Sequence, residues 1–206
     1  MIKIGINGFG RIGRLILRAI LENYQNKIQV VAINDLGSIE TNAHLIKYDS
    51  THGVIREEIK TSKDGFKLGN HDIKVFAEKN PKDIPWEKVG AEVVLECTGI
   101  FLDKTSASKH IQAGAKKVII SAPAKEVDFT VVQGVNSKEL KKEHNIISNG
   151  SCTTNCLAPV AMVLEKNFGI NYGYMTTIHS YTGDQKLLDT LHKDLRRARA
   201  TEGSMI

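Results

Sequence analysis

Cysteine is scarce in this sequence, with three residues in 206. An odd number without framework spacing excludes a disulfide-stapled scaffold and favours a reducing, cytoplasmic setting. No apolar run approaches the roughly 20 residues of a membrane-spanning helix. The N-terminus enters a predicted strand directly, so we expect no signal peptide. Repeats and low-complexity linkers are also missing, which leaves an ordinary globular protein with 41% hydrophobic residues.

Acidic residues are fewer than basic ones, with 23 Asp and Glu against 28 Lys and Arg, and the formal net charge is +5. Such a balance fits either a nucleic-acid ligand or a site for phosphorylated small molecules. The lysines are spread along the chain, and only residues 192–199 are locally dense in basic side chains. No aromatic residue interleaves with that run, which disfavours base stacking. The charge therefore favours a small phosphorylated ligand over nucleic acid.

Glycine is concentrated just after the first predicted strand, residues 2–6. Gly8, Gly10 and Gly13 fit the pattern G-x-G-x-x-G and lead into a predicted helix over 11–22. A second predicted strand ends at Asp35, 22 residues after Gly13, near the spacing of a carboxylate that binds ribose hydroxyls. Strand, glycines, helix, strand and acid together predict a dinucleotide site. In the alternative interpretation, Asp35 caps the segment that follows it.

A second motif surrounds Cys152 in the run SNGSCTTNC, residues 148–156. A predicted strand precedes it, and an apolar stretch of helical length follows to about Asn167. The orphan N–H groups and dipole of a helix start favour thiolate over thiol, and the thiolate is the nucleophile. We expect Pro159 to make the start of this helix irregular. Cys156 lies one turn on and is interpreted as buried filler, and Cys97 as packing.

Strand and helix signals alternate through the first 150 residues, which predicts an α/β fold with a doubly wound, mainly parallel Rossmann sheet. In helix 11–22 the expected apolar face is Ile12, Leu15, Ile16 and Ala19. An antiparallel insertion is expected over residues 57–76. The remaining predicted strands are 28–33, 92–97, 117–121, 145–148 and 172–180, and the remaining predicted helices are 38–47, 104–113 and 138–144. We place a domain boundary at Gly150–Ser151, giving a dinucleotide-binding domain, 1–150, and the start of an α+β catalytic domain, 151–206.

Four motifs in this order resemble one family. They are NGFGRIGR, SAPAK followed by GVN, ISNGSCTTNCLAP, and TTIHSYTGDQ followed by DLRRARA. Together they resemble phosphorylating glyceraldehyde-3-phosphate dehydrogenases from Met1 to about Ala200. Family members continue with further phosphate contacts, a nicotinamide-binding asparagine and a closing helix. The sequence is therefore expected to correspond to the N-terminal two-thirds of such an enzyme and to be inactive as a dehydrogenase on its own.

The resemblance implies roles for individual residues. Cys152 is the implied nucleophile and His179 the catalytic base, an activated pair. The implied cofactor-binding residues are Gly8, Gly10, Arg11, Ile12, Gly13, Asp35, Lys79, Thr98 and Ser121. Ser151, Thr153, Thr182 and Arg197 are the implied substrate- and phosphate-binding residues, and no metal site is expected. The other histidines (His44, His52, His71, His110, His144 and His192) are interpreted as structural or surface residues, and Arg196 and Arg199 as partners in ion pairs.

The implied activity is glycolytic: oxidation and phosphorylation of glyceraldehyde 3-phosphate to 1,3-bisphosphoglycerate through a Cys152 thioester. NAD is the implied cofactor, and a homotetramer the implied assembly. Thr190-Leu191 departs from the Leu-Pro of NAD-specific members, which leaves NADP use open. Two alternatives stay open: a related dehydrogenase that takes erythrose 4-phosphate or works biosynthetically with NADPH, and a non-catalytic fragment that binds a dinucleotide or RNA.

Overall fold

The computed structural model describes residues 1–183 and 185–201, with the chain in two compact units. The first unit, Met1–Asn167, contains every strand of the described residues. The strands are β1 (Ile2–Asn7), β2 (Ile28–Asn34), β3 (Tyr48–Asp49), β4 (Gly53–Val54), β5 (Ile59–Ser62), β6 (Gly65–Leu68), β7 (His71–Phe76), β8 (Val93–Glu96), β9 (Lys117–Ile120), β10 (Phe129–Thr130) and β11 (Ile146–Ser148).

Nine of these strands form one sheet in the order β10-β11-β9-β8-β1-β2-β7-β6-β5. The pairs from β10 to β7 are parallel, and β5, β6 and β7 pair antiparallel as the predicted insertion. Strands β3 and β4 form a separate antiparallel pair. The prediction of a mainly parallel sheet with an antiparallel insertion is therefore confirmed.

Side chains of β1 alternate between the two faces of the sheet, as the pleat requires. Ile4 and Ile6 belong to one buried cluster together with Leu17. The backbone of Gly5, on the opposite face, packs against Trp86, which belongs to a second buried cluster. A Cβ on Gly5 would lie 2.4 Å from the indole ring. Both faces are covered, which confirms the doubly wound arrangement. The helices are α1 (Arg11–Asn23), α2 (Ile39–Lys47), α3 (Trp86–Val89), α4 (Lys104–Gln112) and α5 (Cys152–Phe168).

The predicted apolar face of α1 is wrong at two of its four residues, since Ile16 packs against the core and Leu15 is half-buried. Ile12 and Ala19 are exposed, and the buried apolar side chains are instead Leu17, Ile20 and Leu21. The cause is Gly13, where a Cβ would lie 2.3 Å from the Gly8 carbonyl oxygen. This close approach sets the rotation of the helix, because only glycine can face the loop there.

The segment Lys138–His144 is not the helix that the sequence predicts. A 3-10 turn covers Ser137–Glu139, and no helix follows up to β11. The Lys117 ammonium donates to the carbonyls of Lys142 and His144 at 2.7 and 2.8 Å. The Lys141 N–H donates to His144 Nδ1. These contacts use the groups that a helix would need, so the segment forms turns.

The second unit begins at Phe168 and, among the described residues, has a 3-10 turn at Leu195–Arg197. The predicted strand over 172–180 is wrong, since that segment is irregular and Tyr174 and Ile178 are fully exposed. Aromatic and β-branched residues favour a strand only where a neighbouring strand pairs with it. The predicted domain 151–206 also includes residues 184 and 202–206, which lie outside the described residues.

Candidate active site

The predicted cofactor residues follow strands whose carboxyl ends lie at one end of the sheet. The sheet order reverses between β1 and β8, because β2 and β7 follow on one side and β9 and β11 on the other. Ligands of open α/β sheets bind outside the carboxyl ends of the strands at such a point. The predicted cofactor residues all follow strands at this end of the sheet: the glycine loop follows β1, and Asp35, Lys79, Thr98 and Ser121 follow β2, β7, β8 and β9.

The three motif glycines have three different surroundings. Gly8 has φ +87°, and a Cβ there would lie 2.7 Å from the Thr98 backbone nitrogen. Gly13 packs against the Gly8 carbonyl oxygen, as described for α1. Gly10 precedes α1, and a Cβ added to it would meet nothing within 4 Å. In a dinucleotide-binding loop the first glycine makes the tight turn, the second lets the pyrophosphate approach the backbone, and the third allows the helix to pack closely. Gly8, Gly10 and Gly13 fit these three roles in that order.

Asp35 follows β2 and faces the glycine loop. Its Oδ2 accepts from the Phe9 N–H at 2.8 Å, and its Oδ1 accepts from the Gly37 N–H at 2.9 Å. The second contact closes a local turn, while Ser38 caps α2 by accepting from the Thr41 N–H. Each carboxylate oxygen keeps a further lone pair, so ribose hydroxyls could still donate to Asp35.

Thr98 and Ser121 are tied to each other through Glu96, the last residue of β8. The Thr98 N–H donates to Glu96 Oε1 at 2.7 Å, and the Thr98 hydroxyl contacts the same oxygen. The Ser121 N–H donates to the Glu96 carbonyl at 3.0 Å. Lys79 is exposed, and the preceding Glu78 is bonded through its backbone to Asn34.

Arg11, the first residue of α1, forms an ion pair with Asp49 at 2.6 Å. The N–H groups of His52 and Thr51 and the Arg11 guanidinium together lower the pKa of Asp49 to about 2. The pair thus holds the α1 start against the turn after β3, with Arg11 still half-exposed. Ile12 is 48% exposed beside it, which leaves an apolar surface at the helix start.

Cys152 is exposed and is the first residue of α5. Ser151 caps this helix start, because its hydroxyl accepts from the Thr154 N–H at 2.9 Å. Gly150, with φ +67°, makes the turn from β11. The helix then continues through Pro159 to Phe168, so the predicted irregular start is not seen. Thr153 lies half-buried in the first turn.

The other two cysteines have different environments. Cys156 is exposed, and no described side chain of α5 is buried, so the prediction of a buried filler is wrong. The prediction failed because an apolar stretch of helical length indicates a helix but does not identify the residues that would bury it. Cys97 packs against the main core, as predicted. Burial raises the pKa of its thiol to about 11, which keeps it protonated near neutral pH.

The remaining predicted site residues lie in the second unit. His179 Nδ1 is 2.6 Å from the Ser180 carbonyl oxygen. Thr182 forms a turn with Gln185, donating its N–H to Gln185 Oε1 and accepting from the Gln185 N–H. Arg197 ends the 3-10 turn that Asp194 caps.

The ion-pair prediction for Arg196 is confirmed by its contact with Asp194 at 2.8 Å. The Arg196 side-chain and backbone donors lower the pKa of Asp194 to about 2. Arg197 Nε lies 3.8 Å from the same carboxylate.

Metal and membrane features can be stated for the described ranges 1–183 and 185–201. There, no three His, Cys, Asp or Glu side chains are grouped so that they could hold a metal ion. No helix within these ranges is long and apolar enough to cross a membrane.

Comparison with known proteins matches two segments of the chain to two domains of one family. Residues 2–104 match the family "Glyceraldehyde 3-phosphate dehydrogenase, NAD binding domain", and residues 151–206 match "Glyceraldehyde 3-phosphate dehydrogenase, C-terminal domain". The chain is 57% identical over 205 residues to glyceraldehyde-3-phosphate dehydrogenase of Xanthobacter flavus. It is 53% identical over 206 residues to the proteins of that name from Pseudomonas aeruginosa and Geobacillus stearothermophilus.

These alignments cover the whole of this chain and 61 to 62% of each relative. The chain thus spans about three fifths of the length of the curated relatives that it matches. The glycine loop and the Cys152 helix start lie inside the two matched segments. The chain belongs to the glyceraldehyde 3-phosphate dehydrogenase family.

Proposed function

We propose that this protein takes part in the NAD-dependent oxidation and phosphorylation of glyceraldehyde 3-phosphate, a glycolytic reaction. The observation that carries the proposal is the position of Cys152, exposed as the first residue of a 17-residue helix whose start Ser151 caps. The dipole of a helix stabilises negative charge on a sulfur at its N-terminus. A thiolate nucleophile suits attack on an aldehyde carbon.

NAD fits the carboxyl end of the sheet. The open face of Gly10 lets a pyrophosphate approach the backbone at the start of α1. Asp35 would accept from ribose hydroxyls and would repel a 2′-phosphate. Arg11, Ile12, Lys79, Thr98 and Ser121 complete the proposed surface. When bound, NAD supplies the acceptor for the hydride that leaves the substrate carbon.

The chain's own residues perform the acid–base and covalent steps in this proposal. The Cys152 sulfur attacks the aldehyde carbon and forms a hemithioacetal. His179 takes the hydroxyl proton as the hydride leaves, and the product is a thioester on Cys152. The Cys152 N–H, at the start of α5, stabilises the oxyanion in this proposal.

Inorganic phosphate then attacks the thioester carbonyl and releases the acyl phosphate, which regenerates the thiolate. Ser151, Thr153, Thr182 and Arg197 are proposed to hold the phosphate groups of the two substrates. Hydroxyl donors and a forked guanidinium are suited to phosphate oxygens. The proposal also includes a reducing cytoplasmic setting, which protects Cys152 from oxidation, and the tetrameric assembly that the family resemblance implies.

The proposal is tested by alkylation of the three cysteines with iodoacetamide, with each site followed by mass spectrometry. Cys152 should react fastest, because Cys156 is exposed but lies one turn inside the helix and Cys97 has a thiol with a pKa of about 11. Glyceraldehyde 3-phosphate should protect Cys152, since the hemithioacetal occupies its sulfur. Cys152→Ser should remove the protected reaction and leave NAD binding unchanged.

Cys156→Ser is the matched control and should leave both rate and protection at Cys152 unchanged. Erythrose 4-phosphate at the same concentration tests the related dehydrogenase. Stronger protection by erythrose 4-phosphate would replace the proposed substrate. Equal alkylation rates at Cys152 and Cys156, without protection by either aldehyde, would contradict the assignment of the nucleophile.

A further inference from the structure

A buried carboxylate lies at the carboxyl end of the sheet. Glu96 is the last residue of β8, between β1 and β9, and is 1% exposed. Its Oε2 accepts from Asn7 Nδ2 at 2.6 Å and is 2.9 Å from His110 Nε2. Its Oε1 accepts from the Thr98 N–H at 2.7 Å and also contacts the Thr98 hydroxyl. One side chain thus joins β1, α4 and the turn after β8.

The proton on His110 can be placed from its other neighbour. The Trp86 indole donates to His110 Nδ1 at 3.0 Å, and an indole N–H can only donate. Nδ1 is therefore the acceptor, and the ring is neutral with its proton on Nε2, directed at Glu96. All four groups around the carboxylate can donate hydrogen bonds, and all four are uncharged.

Burying a carboxylate destabilises the folded state unless its hydrogen bonds compensate for the lost hydration. Here the four contacts fix groups that border the proposed cofactor site. Asn7 directly precedes Gly8, and its Oδ1 accepts from Asn34 Nδ2 at 2.8 Å. Asn34 is bonded in turn to the backbone of Glu78, next to Lys79. The network therefore connects Thr98, the glycine loop and the segment after β7.

The glycine loop and the turn after β8 lie close together at Gly8. A Cβ on Gly8 would lie 2.7 Å from the Thr98 nitrogen and 2.8 Å from the Cys97 carbonyl carbon. The backbones of the glycine loop and of the turn after β8 are thus in close contact, and Glu96 holds both. We propose that Glu96 is a positioning residue for the cofactor, setting the distance between the glycine loop and Thr98. This inference rests on the proposed NAD site.

Counting donors shows why glutamine cannot take over this role. A glutamine has one oxygen and one NH₂ group in place of two acceptor oxygens. If the glutamine NH₂ group faces Asn7 and His110, it lies against two hydrogen-bond donors and can bond to neither. If the NH₂ group faces Thr98, it lies against the Thr98 N–H, which is also a donor. His110 cannot switch tautomer to relieve the first clash without facing the Trp86 N–H with a second donor.

The test is the affinity for NAD of the wild-type chain and of Glu96→Gln, measured by isothermal titration calorimetry. We expect about tenfold weaker binding in Glu96→Gln, because the loop and Thr98 lose their common anchor. The Thr98 amide signal in a ¹⁵N–¹H spectrum without NAD should move upfield, since it loses a bond to a carboxylate. Glu92→Gln, on the surface before β8, controls for the loss of charge.

Two variants of a core residue control for loss of stability alone. Ile73 is fully buried in β7, and Ile73→Val and Ile73→Ala remove one and three carbon atoms from the core, so they give a small and a large loss of stability. These variants should keep wild-type affinity for NAD at a temperature well below unfolding. Glu96→Gln binding NAD as tightly as wild type, or Ile73 variants of equal stability losing as much affinity, would overturn the inference.

A wild-type chain that does not bind NAD would instead refute the proposed cofactor site, so the two failures are distinguishable. Should Glu96→Gln not fold, His110→Leu decides. His110 lies on α4, and its side chain contacts Glu96, Trp86 and Phe101 rather than a proposed cofactor residue. A loss of about threefold in affinity would support the inference, and an unchanged affinity would overturn it.

Discussion

Gly8 and Gly10 are separated by one residue, yet substitution by alanine should affect different properties. Gly8→Ala places a side chain at φ +87°, which costs about 1–2 kcal/mol for an L-residue. Its Cβ would lie 2.7 to 2.9 Å from three backbone atoms of Cys97 and Thr98, and such overpacking costs about 1–3 kcal/mol. The free energy of unfolding should therefore fall by about 2–5 kcal/mol.

Gly10→Ala should leave stability nearly unchanged. The backbone has φ −70°, and the new Cβ meets nothing within 4 Å. Alanine is a poorer N-cap than glycine, which lowers the free energy of unfolding, whereas it makes the unfolded chain less flexible, which raises it. Each effect is below about 1 kcal/mol, and the two oppose each other. The methyl group would project from the loop surface on which the pyrophosphate is proposed to lie, so NAD affinity should fall by about tenfold or more.

Urea unfolding and calorimetric NAD titration of both variants test this separation. With a slope of about 2 kcal/mol per M, the midpoint of Gly8→Ala should fall by roughly 1–2.5 M, whereas that of Gly10→Ala stays near wild type. Gly10→Ala with unchanged NAD affinity, or Gly8→Ala with unchanged stability, would refute the assignment of different roles to the two glycines.

Three further predictions concern single side chains. His179→Asn should shift the alkylation of Cys152 to higher pH, because an imidazolium no longer stabilises the thiolate; an unchanged pH profile would count against the pair. Asp35→Ala should weaken NAD binding by about 10- to 100-fold and improve NADP binding, since ribose hydrogen bonds and charge repulsion are both lost; titration with both cofactors checks this, and equal binding of the two by wild type would contradict it. Burial raises the pKa of Asp128, but bonds from Lys104 and from the Ile146 and Asn145 N–H groups lower it to about 2. Its stabilisation, on the order of 1 kcal/mol after discounting for the half-exposed Lys104, is complete above the unfolded value of about 3.9 and is lost as pH falls through about 2. Asp128→Asn should flatten that part of the pH dependence in urea unfolding, and an unchanged dependence would show that Asp128 does not contribute.

The sheet and the glycine loop could be predicted because their signals are local. A strand, a glycine pattern, a helix and an acid at fixed spacing determine the turn from β1 into α1, and Asp35 lies where the spacing placed it. The rotation of α1 could not be predicted, because it depends on contact between Gly13 and the Gly8 carbonyl oxygen. Periodicity in the helix alone favoured Ile12, which is exposed.

The failed predictions concern features that depend on distant groups. The segment 138–144 has the composition of a short helix, but Lys117, more than 20 residues earlier, binds its carbonyls. The segment 172–180 has the residues of a strand and no strand paired with it among the described residues. The role of Glu96 was missed, although a glutamate that ends an otherwise apolar strand, Val93–Glu96, is a signal that the sequence does contain.

The most direct test of the central claim, an NAD site at the carboxyl end of the sheet, is a ¹⁵N–¹H spectrum recorded during titration with NAD. The account predicts saturable shifts of the Gly8, Gly10, Gly37 and Thr98 amides, reduced in Gly10→Ala. The absence of saturable shifts, or shifts confined to residues away from this end of the sheet such as the groove between Lys104 and Asn145, would contradict it.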